Sequence, residues 1–445
     1  MKHYQNIIVG FGKAGKTLAG SFAKHGEEVL VIEKDAEMYG GTCINVACLP
    51  TKNLITSAQK GMSYSAALTQ KTQMVEKLRQ KNFHKVADQP TAQVLNAQAE
   101  FLDNHTLKVT DESGEEQLTA DRIFINTGST PILPEIRGIR ENSPRVFTSK
   151  TLLDQTTQIP RLAILGSGPI GLEFASMYAN FGSAVTVIGK QSHILPAAEP
   201  EAAAQAQQDL IEDGVNFYLA SELTEVAAQD GALSLQVQTA SGQQEISADA
   251  LLVATGRTPN IADLHLERTD LQIGNQGEIV VDQFLQTNVS GIWALGDVAG
   301  GPQFTYISLD DWRIVDNQLF GNQTRSKQNR PVHASSIFLR PAFSSVGQTE
   351  AQLKEAGIAY EVYQMQTAGI PKSQVLHETR GQYKVLVAAT DHQILGATIY
   401  AEESYEVINL ISLAMQYHIP AEGLRDQIYT HPTMAEAFND LFAGL

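Results

Sequence analysis

Cysteine is nearly absent. The chain has two, Cys43 and Cys48, five positions apart. That excludes a disulfide scaffold, and it leaves a structural zinc site without the further cysteines to complete it. Long apolar runs are missing too: no uncharged stretch approaches the ~20 residues a membrane helix needs, so no membrane partner is expected. Basic residues are few beside acidic ones, 32 against 49, for a net charge of −17. Such a surface repels phosphate backbones and argues against nucleic acid as a partner. The first ten residues lack the apolar core and cleavage site of a secretory signal, so a cytoplasmic location is expected. In a reducing cytosol, a lone cysteine pair so close in sequence reads as catalytic sooner than structural.

What is present is globular. The chain is 43% hydrophobic and 18% charged, with 34 Gly and 16 Pro, which excludes collagen-like and wholly disordered chains. Its 445 residues exceed one core, and two to four domains are expected at roughly 100–200 residues each.

The element pattern is α/β. Asn6-Ile7-Ile8-Val9 runs into Gly10-Phe11-Gly12-Lys13-Ala14-Gly15, then a helical stretch to about Lys24 and a strand over 28–32. A second copy follows, from Leu162–Leu165 through Gly166-Ser167-Gly168-Pro169-Ile170-Gly171 and a helix to about Phe181, into Ala184–Ile188. In such a unit the first glycine permits the tight turn and the second lets backbone approach a pyrophosphate. The third lets helix and strand pack, and the helix N-terminus faces the phosphates. Either triplet alone could be a ligand-free turn; two in full context point to two dinucleotides. Short strands continue to Leu251–Gly256. Beyond about 330 the pattern becomes α+β, with strands expected around 334–347, 359–366, 383–389 and 394–400. Helices are expected there around 349–356, 404–418 and 433–443.

Glu33, 23 positions after Gly10, suits the hydrogen bonds of a ribose 2′-OH. The matching position in the second unit is Gly189, followed by Lys190, Gln191, Ser192 and His193. Lys190 and His193 could hold a 2′-phosphate, so NADPH is expected there, with NADH as the other possibility and a solvated loop lysine as the plain reading of Lys190.

Gly40-Gly41-Thr42-Cys43-Ile44-Asn45-Val46-Ala47-Cys48-Leu49-Pro50-Thr51-Lys52 lies between the two units. Its paired glycines permit close approach of the chain to a flat ring. Pro50 suits a helix's first turn, which sets Cys48 at the positive end and favours a thiolate. An inert buried pair stays open as an alternative.

With this motif the sequence resembles the FAD-dependent pyridine nucleotide–disulfide oxidoreductases, among them glutathione reductase, lipoamide dehydrogenase and mercuric reductase. The resemblance covers essentially the whole chain. It extends to Thr127-Gly128, Thr255-Gly256, Trp293-Ala294-Leu295-Gly296-Asp297 and His431-Pro432-Thr433-Met434-Ala435-Glu436; Ala47 stands where relatives usually have Gly. It implies two Rossmann-like domains and a C-terminal α+β dimerisation domain. The FAD domain would be split over 1–150 and 266–330, the NAD(P)H domain would span 151–265, and the dimerisation domain 331–445.

The same resemblance implies roles. Cys48 is the thiolate beside the flavin and Cys43 the thiol that meets substrate. Lys52 and Glu173 form an ion pair near flavin and nicotinamide. His431 is the acid/base for Cys43, with Glu436 orienting it and raising its basicity, in a homodimer whose site is shared across subunits. FAD contacts are expected from Gly10, Gly12, Gly15, Glu33, Gly41, Thr42, Lys52, Thr127, Gly128, Asp297, Phe304 and Thr305. NAD(P)H contacts are expected from Gly166, Gly168, Ile170, Gly171, Glu173, Lys190, His193 and Gly256. No metal ligands are expected.

A closer resemblance is to the reactive-chlorine-resistance flavoproteins, described also as hypothiocyanous acid reductases, with copper(II) reductase activity in some members. It rests on Gly10–Ala19, Met38–Gly41, Lys81–His84, Asp121–Gly128, Gly300–Asp311 and Leu424–Ile428. It implies a small oxidant, hypothiocyanous acid, as substrate. The chain carries no cysteine pair near Leu445 such as mercuric reductase uses, and the second site lacks the acid that an NAD-using lipoamide dehydrogenase would have. Copper(II) or other metal-ion reduction, glutathione disulfide reduction, a lipoamide-type dehydrogenase and, outside enzymes, a slow flavin-binding redox sensor are the alternatives. The basic run Lys52, Lys60, Lys71, Lys77, Arg79, Lys81 and Lys85 is read as a solvated helix face that could also attract anions.

Overall fold

The computed structural model describes residues 2–445. Ile7, Ile8 and Val9 are buried on both faces of the strand Lys2–Val9, which places it centrally among the parallel strands of a mixed sheet. Its neighbours are Val29–Glu33, with Ile8 opposite Val31, and the long strand Gly114–Ile125, with Ile8 opposite Phe124. Outside these lie Ala92–Asn96 on one side and Thr106–Asp111 and Gln98–Phe101 on the other. Ile292–Ala294 adds a seventh strand parallel to the end of Gly114–Ile125. Segments on either side of the second unit thus complete one sheet. The helices Lys13–Lys24 and Thr305–Phe320 bury Leu18, Phe22, Ile314 and Val315 together on one of its faces, and Trp312 Nε1 donates to Ser21 Oγ at 2.9 Å.

The second sheet is all parallel, in the order Val215–Tyr218, Ala184–Ile188, Arg161–Leu165, Ala250–Val253, Val146–Thr148. Its edge strand Val146–Thr148 falls within the 1–150 segment of the sequence division, too short and unpatterned to mark where the chain changes sheet. An antiparallel meander, Glu222–Gln229, Ala232–Thr239 and Gly242–Ala248, packs beside it. The two chain crossings pair as a ribbon, with Thr130 opposite Thr258.

The third sheet is antiparallel, covered by the helix Ser404–Gln416. Two expectations change here. The single strand expected over 334–347 is two, Ser335–Ile337 and Phe343–Gly347, interrupted at Pro341, which has no N–H for a ladder. The helix expected over 433–443 is only Ala437–Leu441. Ahead of it, Thr433 Oγ1 donates to the Thr430 carbonyl and accepts from the Glu436 N–H, bracing a turn in place of helix. Among the described residues no helix is long and apolar enough to cross a membrane.

The redox motif lies where the first two sheets meet. The helix Cys48–Gln59 packs Leu54 and Ile55 into the same core as Leu172 and Ala175 of the helix Pro169–Asn180.

Candidate active site

The two glycine turns repeat one construction. Gly10, at φ +103°, donates to the Ile32 carbonyl at 2.8 Å, and a Cβ there would stand 2.4 Å from the Asn126 carbonyl oxygen. Gly166, at φ +120°, donates to Ile188 at 2.8 Å, and its Cβ would stand 2.3 Å from Ala254 O. Only glycine fits either place. Gly12, Gly15, Gly168 and Gly171 complete the turns at the N-termini of the helices Lys13–Lys24 and Pro169–Asn180.

In the first turn the Ala254 equivalent is Asn126, which sequence reasoning quoted but gave no role. Buried, it accepts from the Gly15 N–H at 2.9 Å and donates to the Leu295 carbonyl at 2.6 Å. It ties the glycine turn to the segment carrying Asp297.

The Glu33 carboxylate turns back to this turn, accepting from Phe11 N at 2.9 Å and Asp35 N at 3.2 Å, and burial pushes its pKa up. Thr127 Oγ1, beside Gly128, is buried without a hydrogen-bond partner. A donor cradle, a converging carboxylate and an orphaned hydroxyl fit a bound dinucleotide. Asp297 accepts from Ser129 Oγ at 2.7 Å, and Ser129 Oγ in turn accepts from Arg257 Nε at 2.8 Å. Arg257 was not foreseen, though it directly follows Thr255-Gly256. Burial lowers its pKa, while Asp297 and Cys48 hold its charge.

The thiols occupy two short helical pieces, Cys43 in Thr42–Asn45 and Cys48 at the first position of Cys48–Gln59. Pro50 sits in that helix's first turn, as the sequence predicts. Gly41, at φ +81°, approaches backbone: a Cβ there would meet Gly12 Cα at 2.9 Å, so the motif's glycine seats it on the first glycine turn. Both cysteines are half-buried and unbridged. Cys48 Sγ lies 3.7 Å from Thr305 Oγ1. Its pKa is pulled down to about 6, first by the facing Cys43 thiol, against burial, and further by Lys52 and Thr305. The Cys43 pKa is pushed up, by the facing Cys48 and by burial. Of the two thiols, Cys48 is the one whose charged form its surroundings favour.

Lys52 Nζ donates to both oxygens of Glu173, at 2.8 and 2.6 Å, joining the redox helix to the second nucleotide unit. Phe338 holds this pair from a third direction, its N–H 3.0 Å from Glu173 Oε1 and its ring centroid 4.8 Å from Lys52 Nζ. Phe304 stacks on Tyr306 at 4.9 Å, and burial, with the Cys48 charge adding to it, pushes the Tyr306 pKa up. Tyr306 was another residue the sequence reading passed over.

On the nucleotide side, a Cβ at Gly189 would stand 2.6 Å from Ser167 Oγ and 3.1 Å from Leu219 Cδ2, so no acid sits there without displacement. Lys190 is exposed but paired, 2.7 Å from Glu222 Oε1. His193 is exposed with Nδ1 3.1 Å from the Ile194 carbonyl; Gly256 is exposed, and Ile170 half-buried in the first turn of its helix.

His431 and Glu436 meet at 2.8 Å between Nδ1 and Oε2. The His431 side chain is 71% exposed, and Glu436 Oε1 is buried without a partner. None of the groups that shift the two thiols comes from this segment.

Residues 4–311 match the family described as pyridine nucleotide-disulphide oxidoreductase, and residues 333–442 match its dimerisation domain. The chain is 43% identical over 443 residues to the probable pyridine nucleotide-disulfide oxidoreductase RclA of Escherichia coli, covering 100% of this chain and 99% of that one. It is 31% identical over 450 residues to a mercuric reductase of Staphylococcus aureus, covering 97% of this chain and 81% of the other. The solved structure of the Cu(II) complex of the HOCl-induced flavoprotein disulfide reductase RclA from Escherichia coli superposes with a TM-score of 0.96 at 42% identity, each chain covered completely.

Proposed function

The chain belongs to the pyridine nucleotide-disulphide oxidoreductases, FAD-dependent enzymes using pyridine nucleotides, and on that premise we propose that its oxidant is hypothiocyanous acid, reduced at Cys43. The observation carrying this reading is the pair of half-buried, unbridged thiols facing each other, with Thr305 Oγ1 3.7 Å from Cys48 Sγ and with Cys43 and Lys52 favouring the charged form of Cys48. FAD, when bound, supplies the two electrons from NAD(P)H that reduce a Cys43–Cys48 disulfide. The glycine turn, Glu33, Thr127 and Asp297 would hold it.

The chemistry at the thiols needs no large pocket. His431 takes the Cys43 proton; Cys43 attacks the sulfur of hypothiocyanous acid, forming an S–S bond as the O–S bond breaks. His431 returns the proton to the departing hydroxide, giving water. The Cys48 thiolate then attacks Cys43 sulfur, the disulfide closes, and thiocyanate leaves, a better leaving group than an alkyl thiolate.

The exposed His431 supports completion of the site across a homodimer. So does an apolar stripe on the helix Ser404–Gln416 and just beyond it, where Leu410, Leu413 and Tyr417 are exposed at 36%, 49% and 64%. Gly189 supports NADPH over NADH, since no carboxylate waits for a free 2′-OH; Lys190 would exchange Glu222 for the 2′-phosphate.

A second reading, copper(II) reduction, is favoured by the copper complex of the Escherichia coli relative. Assaying NADPH oxidation with each oxidant separates them. Turnover with copper(II) and none with hypothiocyanous acid would replace the first reading by the second.

A further inference from the structure

Phe338 stands between the strands Ser335–Ile337 and Phe343–Gly347, in a short segment of the dimerisation domain that docks where the redox helix meets the second nucleotide unit. Leu339, buried, enters the core that holds Leu54 and Leu172. Its carbonyl accepts from Gln59 Nε2 at 3.4 Å, at the far end of the redox helix. Arg340 reaches Asn180 Oδ1 at 3.5 Å, at the far end of the helix Pro169–Asn180. Phe338 meets the same two helices nearer their N-termini, through Lys52 and Glu173. Its N–H, at 3.0 Å, fixes the Glu173 oxygen that also accepts from Lys52 at 2.8 Å, and its ring lies 4.8 Å from the Lys52 ammonium. The ring is itself stacked on Tyr405, centroids 5.0 Å apart and planes 20° from parallel.

Lys52 is half-buried and stands four residues after Cys48, on the same face of one helix. A long flexible side chain holds one geometry only at an entropic cost, and a single ion pair open to water fixes it weakly. The N–H and the ring of Phe338 come from a third element, and what they add is orientation. We infer that Phe338 is a positioning residue of the redox centre: with Tyr405 stacked on it, it holds the Lys52–Glu173 pair in place, so that the dimerisation domain sets the reactivity of Cys48. Cys43 first, and then Lys52 and Thr305, favour the charged form of Cys48, while burial and Glu173 oppose it. Of these, Lys52 and Glu173 are the two that Phe338 touches. The inference does not depend on which oxidant Cys43 reduces.

A double-mutant cycle on the reduced, FAD-loaded protein tests it, read by the charge-transfer absorbance of Cys48 titrated against pH. Phe338→Leu keeps the N–H and removes the ring. The midpoint is expected to rise by about half a unit, the scale on which a ring holds an ammonium. In the Lys52→Met background the same substitution is expected to move it no further. Phe338→Tyr keeps the parental midpoint, and Tyr405→Leu raises it less than Phe338→Leu does. Alkylation of Cys48 by iodoacetamide in the Cys43→Ser protein needs no flavin. At a pH below the midpoint it should slow about threefold on adding Phe338→Leu. A ring that only fills the core would lower the unfolding temperature and leave midpoint and alkylation unchanged, and that result would overturn the inference. Equal shifts in the parent and Lys52→Met backgrounds would overturn it too, since the ring would then reach Cys48 by a route other than Lys52. Should Phe338→Leu fail to fold, Phe338→Met carries the same comparison.

Discussion

Lys52 acts on two partners at once. Its ammonium grips Glu173 on the nucleotide side and lowers the Cys48 pKa on the thiol side, while Glu173 acts on Cys48 in the opposite sense. The signs give a direct prediction. In the reduced FAD-loaded protein, the long-wavelength charge-transfer absorbance of the Cys48 thiolate should titrate near pH 6. Lys52→Met removes a favourable charge, so the midpoint should rise, by about one unit. Glu173→Gln removes an unfavourable one and should lower it. A midpoint unmoved in Lys52→Met would assign the depression to Cys43 and Thr305 alone. The cysteines were legible in the sequence because scarcity and spacing are visible there. The 2.7 Å pairing of Lys190 with Glu222 was not, because the two stand 32 positions apart and nothing local joins them. Asn126 was hidden for a similar reason: an asparagine ending a strand looks like any other until the glycine backbone it serves is in place.

Between elements, the least expected contact is a buried ion cluster where the second nucleotide unit meets the third sheet. Lys384, in the strand Gln382–Ala388, donates to Glu199 at 2.7 Å and Glu350 at 2.6 Å, with its side chain 5% exposed. Lys384 and its other partners hold Glu350 at about 2. That value lies below the ordinary 4.5, so the stability Glu350 contributes is complete above about pH 4.5 and is lost as pH falls toward 2. Lys384→Met leaves Glu199 buried and unpaired, a loss of about 3–5 kcal/mol near neutral pH. Thermal unfolding across pH should show the gap between parent and variant narrowing below about pH 4.5. A gap constant down to pH 2 would contradict the pairing. Sequence periodicity marks such a lysine as one residue of a strand and gives no hint that it is buried, because its partners come from other elements.

At the scale of the molecule, the split of one sheet around an inserted unit was legible because both glycine turns announce themselves and the resemblance supplied the order. His431 is assigned to Cys43 by the resemblance, without being assigned to one subunit. Its exposure and its absence from the thiols' surroundings argue for the partner subunit. Mixing inactive Cys43→Ser and His431→Ala subunits should restore about a quarter of parental activity. Half the dimers are then mixed, and each carries one intact site of two. Confirmed exchange without recovery would place both residues in one chain.

The central claim is that electrons from the nucleotide leave through Cys43 to a small sulfur oxidant. Steady-state oxidation of NADPH by the FAD-loaded protein, with hypothiocyanous acid beside glutathione disulfide, tests it most directly. Rapid turnover with hypothiocyanous acid, abolished by Cys43→Ser and absent with glutathione disulfide, is the predicted result. Turnover that survives Cys43→Ser, or efficient glutathione disulfide reduction, would contradict it.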